Sequence, residues 1–367
     1  MTEEESWFWL CTIKGIYRKK IKRLIECYKS PLNLYEMTDE QVKTIKILTE
    51  HEQNLLIKSK SINQIKENFQ KLQEQNISFI SNADMKYPKK LRNIPDAPCG
   101  LYIKGNIPSD TQPSVAIIGA RNCSNYGKEI ALEYARELSL NGVQIISGLA
   151  RGIDSYGHKG VLEVNGKTFG VLGCGVNVYY PKENHYLYDS MAQQGGIISE
   201  YSINTQPHSL YFPERNRIIS GLADIIVVIE AREKSGSLIT TDLALEQGKD
   251  IFAVPGRITD PLSKGCNRLI SQGAAIANSP QDIMDELGIK YEKNRKLIKK
   301  INNLLERKEN MVYSCLDLQP KSLDEILGDV KLEYAEIMVA LVDLEIKGFI
   351  KETSKNYYIK IKIENHK

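Results

Sequence analysis

The chain has 367 residues, which is room for two to three domains and a sizeable core. With 26% charged and 42% hydrophobic residues it is neither a disordered nor a fibrous polymer. A net charge of only +3 excludes a protein that coats polyanions by bulk charge, so any nucleic-acid affinity must come from local placement of cations.

Seven cysteines (Cys11, Cys27, Cys99, Cys123, Cys174, Cys266 and Cys315) are scattered and never form a C-x-x-C. Five equally dispersed histidines complete no metal pattern. A reduced, cytoplasmic protein is expected, with no metal and no cofactor. The first ten residues carry three glutamates and no extended apolar core, unlike a secretory signal. No run approaches the ~18 apolar residues of a membrane span.

Residues 1–80 read as an N-terminal helical domain. Within it Leu10-Cys11-Thr12-Ile13-Lys14-Gly15-Ile16 leads into a second helical stretch with Ile21, Leu24, Ile25 and Tyr28 at helical spacing. A glycine between two short helices suggests a hairpin of the SAM or helix-hairpin-helix kind. Such a hairpin either contacts nucleic-acid backbone through its turn amides or simply packs as a small bundle. Residues 81–113, with Pro95, Pro98 and a short Leu101-Tyr102-Ile103 strand, read as a linker docking onto the next domain.

From 114 to 289 strands alternate with helices. Strands are expected at 115–118, 143–147, 168–172, 196–199, 225–229, 251–254 and 274–277. Helices are expected at 128–140, 153–164, 183–194, 217–222, 239–247 and 266–272. The apolar runs are too continuous to alternate, so the strands are covered on both faces. That is an α/β fold, an extended Rossmann-like, doubly wound and mostly parallel sheet. A Lys-rich tether, 290–308, leads to a last domain, 309–367. There Ser322 caps a helix, 334–346 is amphipathic through Ile337, Leu341 and Leu344, and Phe349–Glu352 with Tyr357–Ile359 forms a two-stranded wing. This order is a winged helix. Its recognition helix carries Glu333, Glu336, Asp343 and Glu345, which oppose phosphate and favour partner binding or dimerisation over duplex DNA.

Ligands of such sheets bind beyond the carboxyl ends of the strands. After the first strand come Gly119, Arg121 and Asn122; after the second, Ser147, Gly148, Arg151 and Asp154. The third leads to Lys182, while Arg215, Asn216 and Arg217 precede the fifth and Ser235, Gly236 and Ser237 follow it. Cations, small hydroxyls and glycine-opened backbone N–H groups thus gather on one rim, where a helix N-terminus also favours an anion. Only Gly119 falls in the first tight turn, so the rim departs from a dinucleotide fingerprint. Arg215 and Arg217 have internal ion pairs as an alternative fate. Tyr179, Tyr180, Tyr201, Tyr211 and Phe212 lie among these cations, and single-stranded nucleic acid requires that mixture of stacking faces and phosphate-binding charge. Phe212, before a proline, is expected to be the most buried of the rings.

No nucleophile with an attendant base is apparent, and arginines around Glu200, Glu230 or Glu246 would lower rather than raise a carboxyl pKa. Asp154 and His158 stand four apart on one helix without a third metal ligand, so Asp154 reads as a helix cap. The chain offers a binding surface rather than a reaction centre. The alternative is a nucleotide-handling enzyme of the lysine-decarboxylase-like phosphoribohydrolase type, using Gly236 and Glu246.

Several segments resemble the DNA-processing protein A (DprA/Smf) family. They are Ile118-Gly119-Ala120-Arg121-Asn122, Ser147-Gly148-Leu149-Ala150-Arg151-Gly152-Ile153-Asp154, Tyr180-Pro181-Lys182-Glu183-Asn184, Ile198-Ser199-Glu200-Tyr201, Phe212-Pro213-Glu214-Arg215-Asn216-Arg217-Ile218-Ile219, Ser235-Gly236-Ser237-Leu238-Ile239-Thr240 and Phe252-Ala253-Val254-Pro255-Gly256. The resemblance implies a homodimer that binds single-stranded DNA without sequence preference and hands it to the RecA recombinase during natural transformation. It also implies that Arg121 and Lys182 contact phosphate and that Arg217 belongs to the family's R-N-R motif. Where some members place a further lysine before that motif, this chain has His208-Ser209-Leu210.

Overall fold

The computed structural model describes residues 1–290, 307–317, 319–330 and 332–361. The tether expected at 290–308 lies outside the described residues except at its ends. Six helices open the chain: α1 (Glu3–Thr12), α2 (Arg18–Tyr28), α3 (Pro31–Glu36), α4 (Asp39–Lys43), α5 (Glu50–Lys58) and α6 (Ile62–Glu74). Capping boxes at Thr2, Thr38 and Thr49 start three of them. Helix α1 buries Trp7, Phe8, Trp9 and Leu10, and the Phe8 ring meets Phe79 and Tyr102 edge-on at 5.6 and 6.3 Å.

Those two partners lie on strands, which changes the expected organisation. Residues 77–105 are not a helical tail and a linker. They contain β1 (Ile77–Ser81) and β2 (Gly100–Gly105), joined through the short α7 (Lys89–Arg92). The two strands pair antiparallel, and β2 pairs antiparallel with β6 (Gly196–Ser199). Runs as short as Ile77-Ser78-Phe79-Ile80 carry no period of their own. The free edge of β6 decides that they become strands.

The remaining strands are β3 (Ser114–Ile118), β4 (Gln144–Ser147), β5 (Thr168–Leu172), β7 (Ile225–Val228), β8 (Asp250–Ala253) and β9 (Ala275–Ile276). The nine-stranded order is β1-β2-β6-β5-β4-β3-β7-β8-β9, parallel from β6 through β9. Helices alternate with strands as expected: α8 (Asn125–Leu140), α9 (Ile153–Glu163), α10 (His185–Gln194), α11 (Tyr211–Leu222), α12 (Gly236–Glu246), α13 (Lys264–Ser271) and α14 (Pro280–Glu286). On β3, Val115 and Ile117 face a core shared with α8, α9 and α14, while Ala116 and Ile118 face one shared with α11, α12 and α13. Helix α11 starts six residues earlier than its apolar pattern suggests. Pro213 falls in its first turn, where its missing N–H has no intrahelical partner to lose.

Strand order reverses at β3, from which the chain builds outward to β6 and then crosses to β7 on the other side. Loops leaving β3 and β7 therefore part and open a crevice between them. The winged helix closes on its own core of residues such as Ile326, Ile337, Leu341, Leu344 and Phe349. Its helices are Arg307–Cys315, Leu323–Asp329 and Tyr334–Ile346, and its sheet runs β10 (Lys321–Ser322), β12 (Tyr357–Lys360), β11 (Ile350–Ser354). Among the described residues no helix is long and apolar enough to cross a membrane.

Candidate nucleic-acid interface

The backbone N–H groups at the sheet's rim are less open than the sequence suggests. Glu230, at the end of β7 and 3% exposed, accepts the Ser124 N–H at 2.9 Å and the Ser124 hydroxyl at 2.5 Å, closing the N-terminus of α8. Its backbone carbonyl takes the Ala120 N–H at 2.8 Å. Gly127 has no side chain because a Cβ there would stand 2.3 Å from the Glu230 carboxylate. The next loop is filled in the same way. Asp154 accepts from Gly148 N–H at 3.1 Å and Ala150 N–H at 3.4 Å, bracing Leu149 at φ +54°. Asp154 thus closes the loop before α9. An internal carboxylate occupies each of these two anion sites, which corrects the expectation that they face a ligand. The N-terminus of α12 stays open: Ser235 caps it, its first turn has no acid, and nothing lies within 4 Å of where a Gly236 Cβ would stand.

A cleft of about 830 Å³ lies over the crevice. Gly119, Arg121, Asn122, Tyr180, Phe212, Arg215, Asn216, Ser235, Gly236 and Ser237 line it. Arg232 and Lys234 line it too, and neither is among the residues expected from the sequence. They follow β7 directly, so the strand-end rule itself identifies them. Arg121, Arg232 and Lys234 are exposed, and none is in an ion pair among the described residues. A second cavity of about 320 Å³ adjoins the cleft and takes in Gly148 and Arg151.

Other expected contacts lie elsewhere. Arg217 is buried against Glu200 and its carbonyl accepts from Gln247, so it faces inward. Burial pushes the Glu200 carboxyl pKa up, with Arg217 and Arg18 opposing. Arg215 is also buried and donates to the Val171 carbonyl, though it still borders both cavities, and its Nε has no partner among the described residues. Burial lowers its pKa against the pull of Asp154. Gly148 makes room for it, since a Cβ would sit 2.2 Å from Nη1. Arg151 is exposed but paired with Glu183. Lys182 is exposed in the turn that follows Tyr180-Pro181, outside the walls of both cavities. Ser147 is wholly buried, its hydroxyl donating to Ile117 O at 2.6 Å.

The rings divide likewise. Phe212 is half-buried rather than sunk in the core; the Arg121 guanidinium lies 5.5 Å from its centroid, and Tyr180 stacks on it at 5.4 Å and 23°. Tyr180 keeps 39% of its surface in solvent. Tyr211 stacks instead on Tyr201 at 4.3 Å, beside the cleft, and Tyr179 packs on His185 and Tyr188. Below the cleft, His158 Nδ1 meets Thr168 Oγ1 at 2.6 Å. That hydroxyl already donates to Ile145 O, so Nδ1–H is the donor and Nε2 is bare and has no partner among the described residues. Burial brings the His158 pKa down to about 3. Glu246 ends α12, ten residues from Gly236 or about 15 Å at the usual helical rise, away from the cleft.

A model of the family described as DNA recombination-mediator protein A matches residues 78–288, and a DprA winged-helix model matches 302–354. DNA processing protein DprA of Streptococcus pneumoniae is 43% identical over 212 residues, 58% of this chain and 75% of that protein. Protein Smf of Escherichia coli is 33% identical over 376 residues, covering 97% of this chain and 96% of its own. The X-ray structure of the S. pneumoniae protein superposes with a TM-score of 0.69 at 34% identity, over 80% of this chain and all of that one. A Helicobacter pylori DNA processing protein A structure, described as giving insight into a single-stranded DNA binding mode, matches with a TM-score of 0.52 at 33% identity, over 57% and 95%.

Proposed function

This chain belongs to the DNA recombination-mediator protein A family, and from that membership we propose that its cleft binds single-stranded DNA without sequence preference. The observation that carries the reading is the stack of Arg121 on Phe212 on Tyr180, beside Arg232 and Lys234, which are in no ion pair among the described residues. A charged fork fixed on an aromatic face presents phosphate-binding hydrogen bonds and a stacking surface together. Every base has a π-face, so stacking tolerates any sequence, and in a duplex those faces are already covered. The open N-terminus of α12 adds N–H groups aimed at an anion. The likeness of the H. pylori relative supports the same ligand.

The wider role follows the family resemblance: a cytoplasmic homodimer that protects incoming single strands and helps load RecA recombinase during DNA uptake and recombination. The phosphoribohydrolase reading loses its base, because Glu246 lies away from the cleft. The test is a salt titration of single-stranded against duplex oligonucleotides, repeated with Arg121→Ala and Lys182→Ala. Single strands are expected to bind more tightly, with affinity falling as salt rises. Arg121→Ala should cost at least about tenfold, near 1.4 kcal/mol, without changing the melting temperature. Equal binding by wild type and Arg121→Ala at low salt would remove the cleft from the account.

A further inference from the structure

The hairpin between α1 and α2 plays no part in the cleft, yet its surface has the same chemistry. We propose that α2 is a second phosphate-binding segment, over which a nucleic-acid strand continues after leaving the cleft. The proposal rests on the cleft being a nucleic-acid site.

Position comes first. Arg18, at the start of α2, lies 3.4 Å from Glu214 and 3.7 Å from Asp96. Glu214 shares the first turn of α11 with Phe212 and Pro213, which line the cleft. One end of α2 is therefore tied to the cleft's rim.

Charge comes second. Helix α2 reads Arg-Lys-Lys-Ile-Lys-Arg-Leu-Ile-Glu-Cys-Tyr, with Glu26 as its single acid. Arg18 and Lys20 are engaged, Lys20 with Glu52. Lys19, Lys22 and Arg23 remain exposed, and Lys19 reaches Asp96 only at 3.9 Å with 77% of its side chain in solvent. The two acids on the route, Glu214 and Asp96, are both paired with Arg18, and Glu214 also accepts the Tyr201 hydroxyl at 3.1 Å.

Aromatic faces come third. Between Phe212 and α2 lies the Tyr201–Tyr211 stack, and Tyr17, directly before α2, is 77% exposed. From Phe212 the route passes the Tyr201–Tyr211 rings and then Arg18 and Tyr17, so stacking faces lead onto the cations of α2, a combination that suits a flexible single strand. Gly15 makes the turn at φ +101°, which sets Tyr17 and α2 against α1.

The experiment uses the full chain and fluorescence anisotropy with oligothymidylates of about 6 and about 25 nucleotides, over a salt series. In Lys19→Ala/Lys22→Ala/Arg23→Ala the alanines favour the helix, so the fold is kept. The longer strand should then bind at least about tenfold more weakly at ~0.1 M salt, with a slope of log K on log salt shallower by about 2, roughly 0.7 per lost phosphate contact. The shorter strand should bind as to wild type. Tyr17→Ala should weaken the longer strand with the slope unchanged. Wild-type affinity and slope for the longer strand in the triple variant would overturn the proposal. An equal loss on both lengths would also overturn it, because that is a diffuse field rather than a path. Arg121→Ala separates the two readings: loss on both lengths keeps the cleft, whereas no loss on either removes the cleft whatever α2 does.

Discussion

Glu230 and Asp154 turn carboxylates toward the protein's own N–H groups at the place where related sheets bind ligand anions. On the proposed function a phosphate is held chiefly by side chains, with Arg121, Arg232 and Lys234, which line the cleft, weighing more than the glycines around them. Glu230→Ala leaves the Ser124 N–H and hydroxyl at the start of α8 without their carboxylate acceptor, while Ser124 still caps the Gly127 N–H, and should lower stability by about 1–3 kcal/mol, read as a fall in melting temperature. His158 permits a pH prediction. Its pKa is about 3 against an ordinary 6.5, so the unfolded chain takes up the proton first on acidification. The stability contribution is complete above about 6.5 and is lost as pH falls toward 3, at up to ~1.4 kcal/mol per pH unit. His158→Gln should flatten the decline in melting temperature between pH 6.5 and 4, and an unchanged decline would place the acid sensitivity elsewhere.

Helix α11 joins three parts of the molecule. Its first turn gives Phe212 to the cleft, its Glu214 holds Arg18 of α2, and Ile218, Ile219 and Leu222 pack under the sheet. The strands β1 and β2 make the N-terminal boundary equally structural. Deleting residues 1–105 would strip β2 from β6 and bare a row of unpaired backbone groups together with Leu101 and Ile103 partners. That deletion is expected to give aggregates in size-exclusion chromatography, so it cannot report on DNA binding. In the winged helix, Val339, Val342 and Ile346 lie exposed at i, i+3 and i+7 on the helix Tyr334–Ile346. An apolar stripe among acids suits protein contact better than phosphate, consistent with the acids noted in its sequence.

At the scale of the whole molecule, a net charge of +3 leaves nothing for bulk attraction, and function depends on where a few cations stand. Among the described residues the winged helix has a separate core that shares no residue with the sheet's cores. Ending the chain after residue 290 should therefore leave single-strand binding within about twofold of the full chain, since single-strand affinity is set by the contacts the strand itself makes. A larger loss in the same anisotropy assay would bring the winged helix into the DNA path.

Local pattern was enough for the parallel α/β sheet, the strand-end placement of Gly119, Arg121 and Ser235, and the winged helix. Each derives from apolar runs, turn residues and the rule that ligands meet strand ends, all of which act over a few residues. Pairing across the fold decided the rest. Whether Arg217 meets solvent depends on Glu200, which lies 17 residues away in the chain, and whether the amides after β3 are free depends on Glu230, more than a hundred residues downstream. Strands β1 and β2 depend on the open edge of β6 in the same way. A side chain's type sets what it can bind. Only the folded chain determines whether its own groups have bound it first.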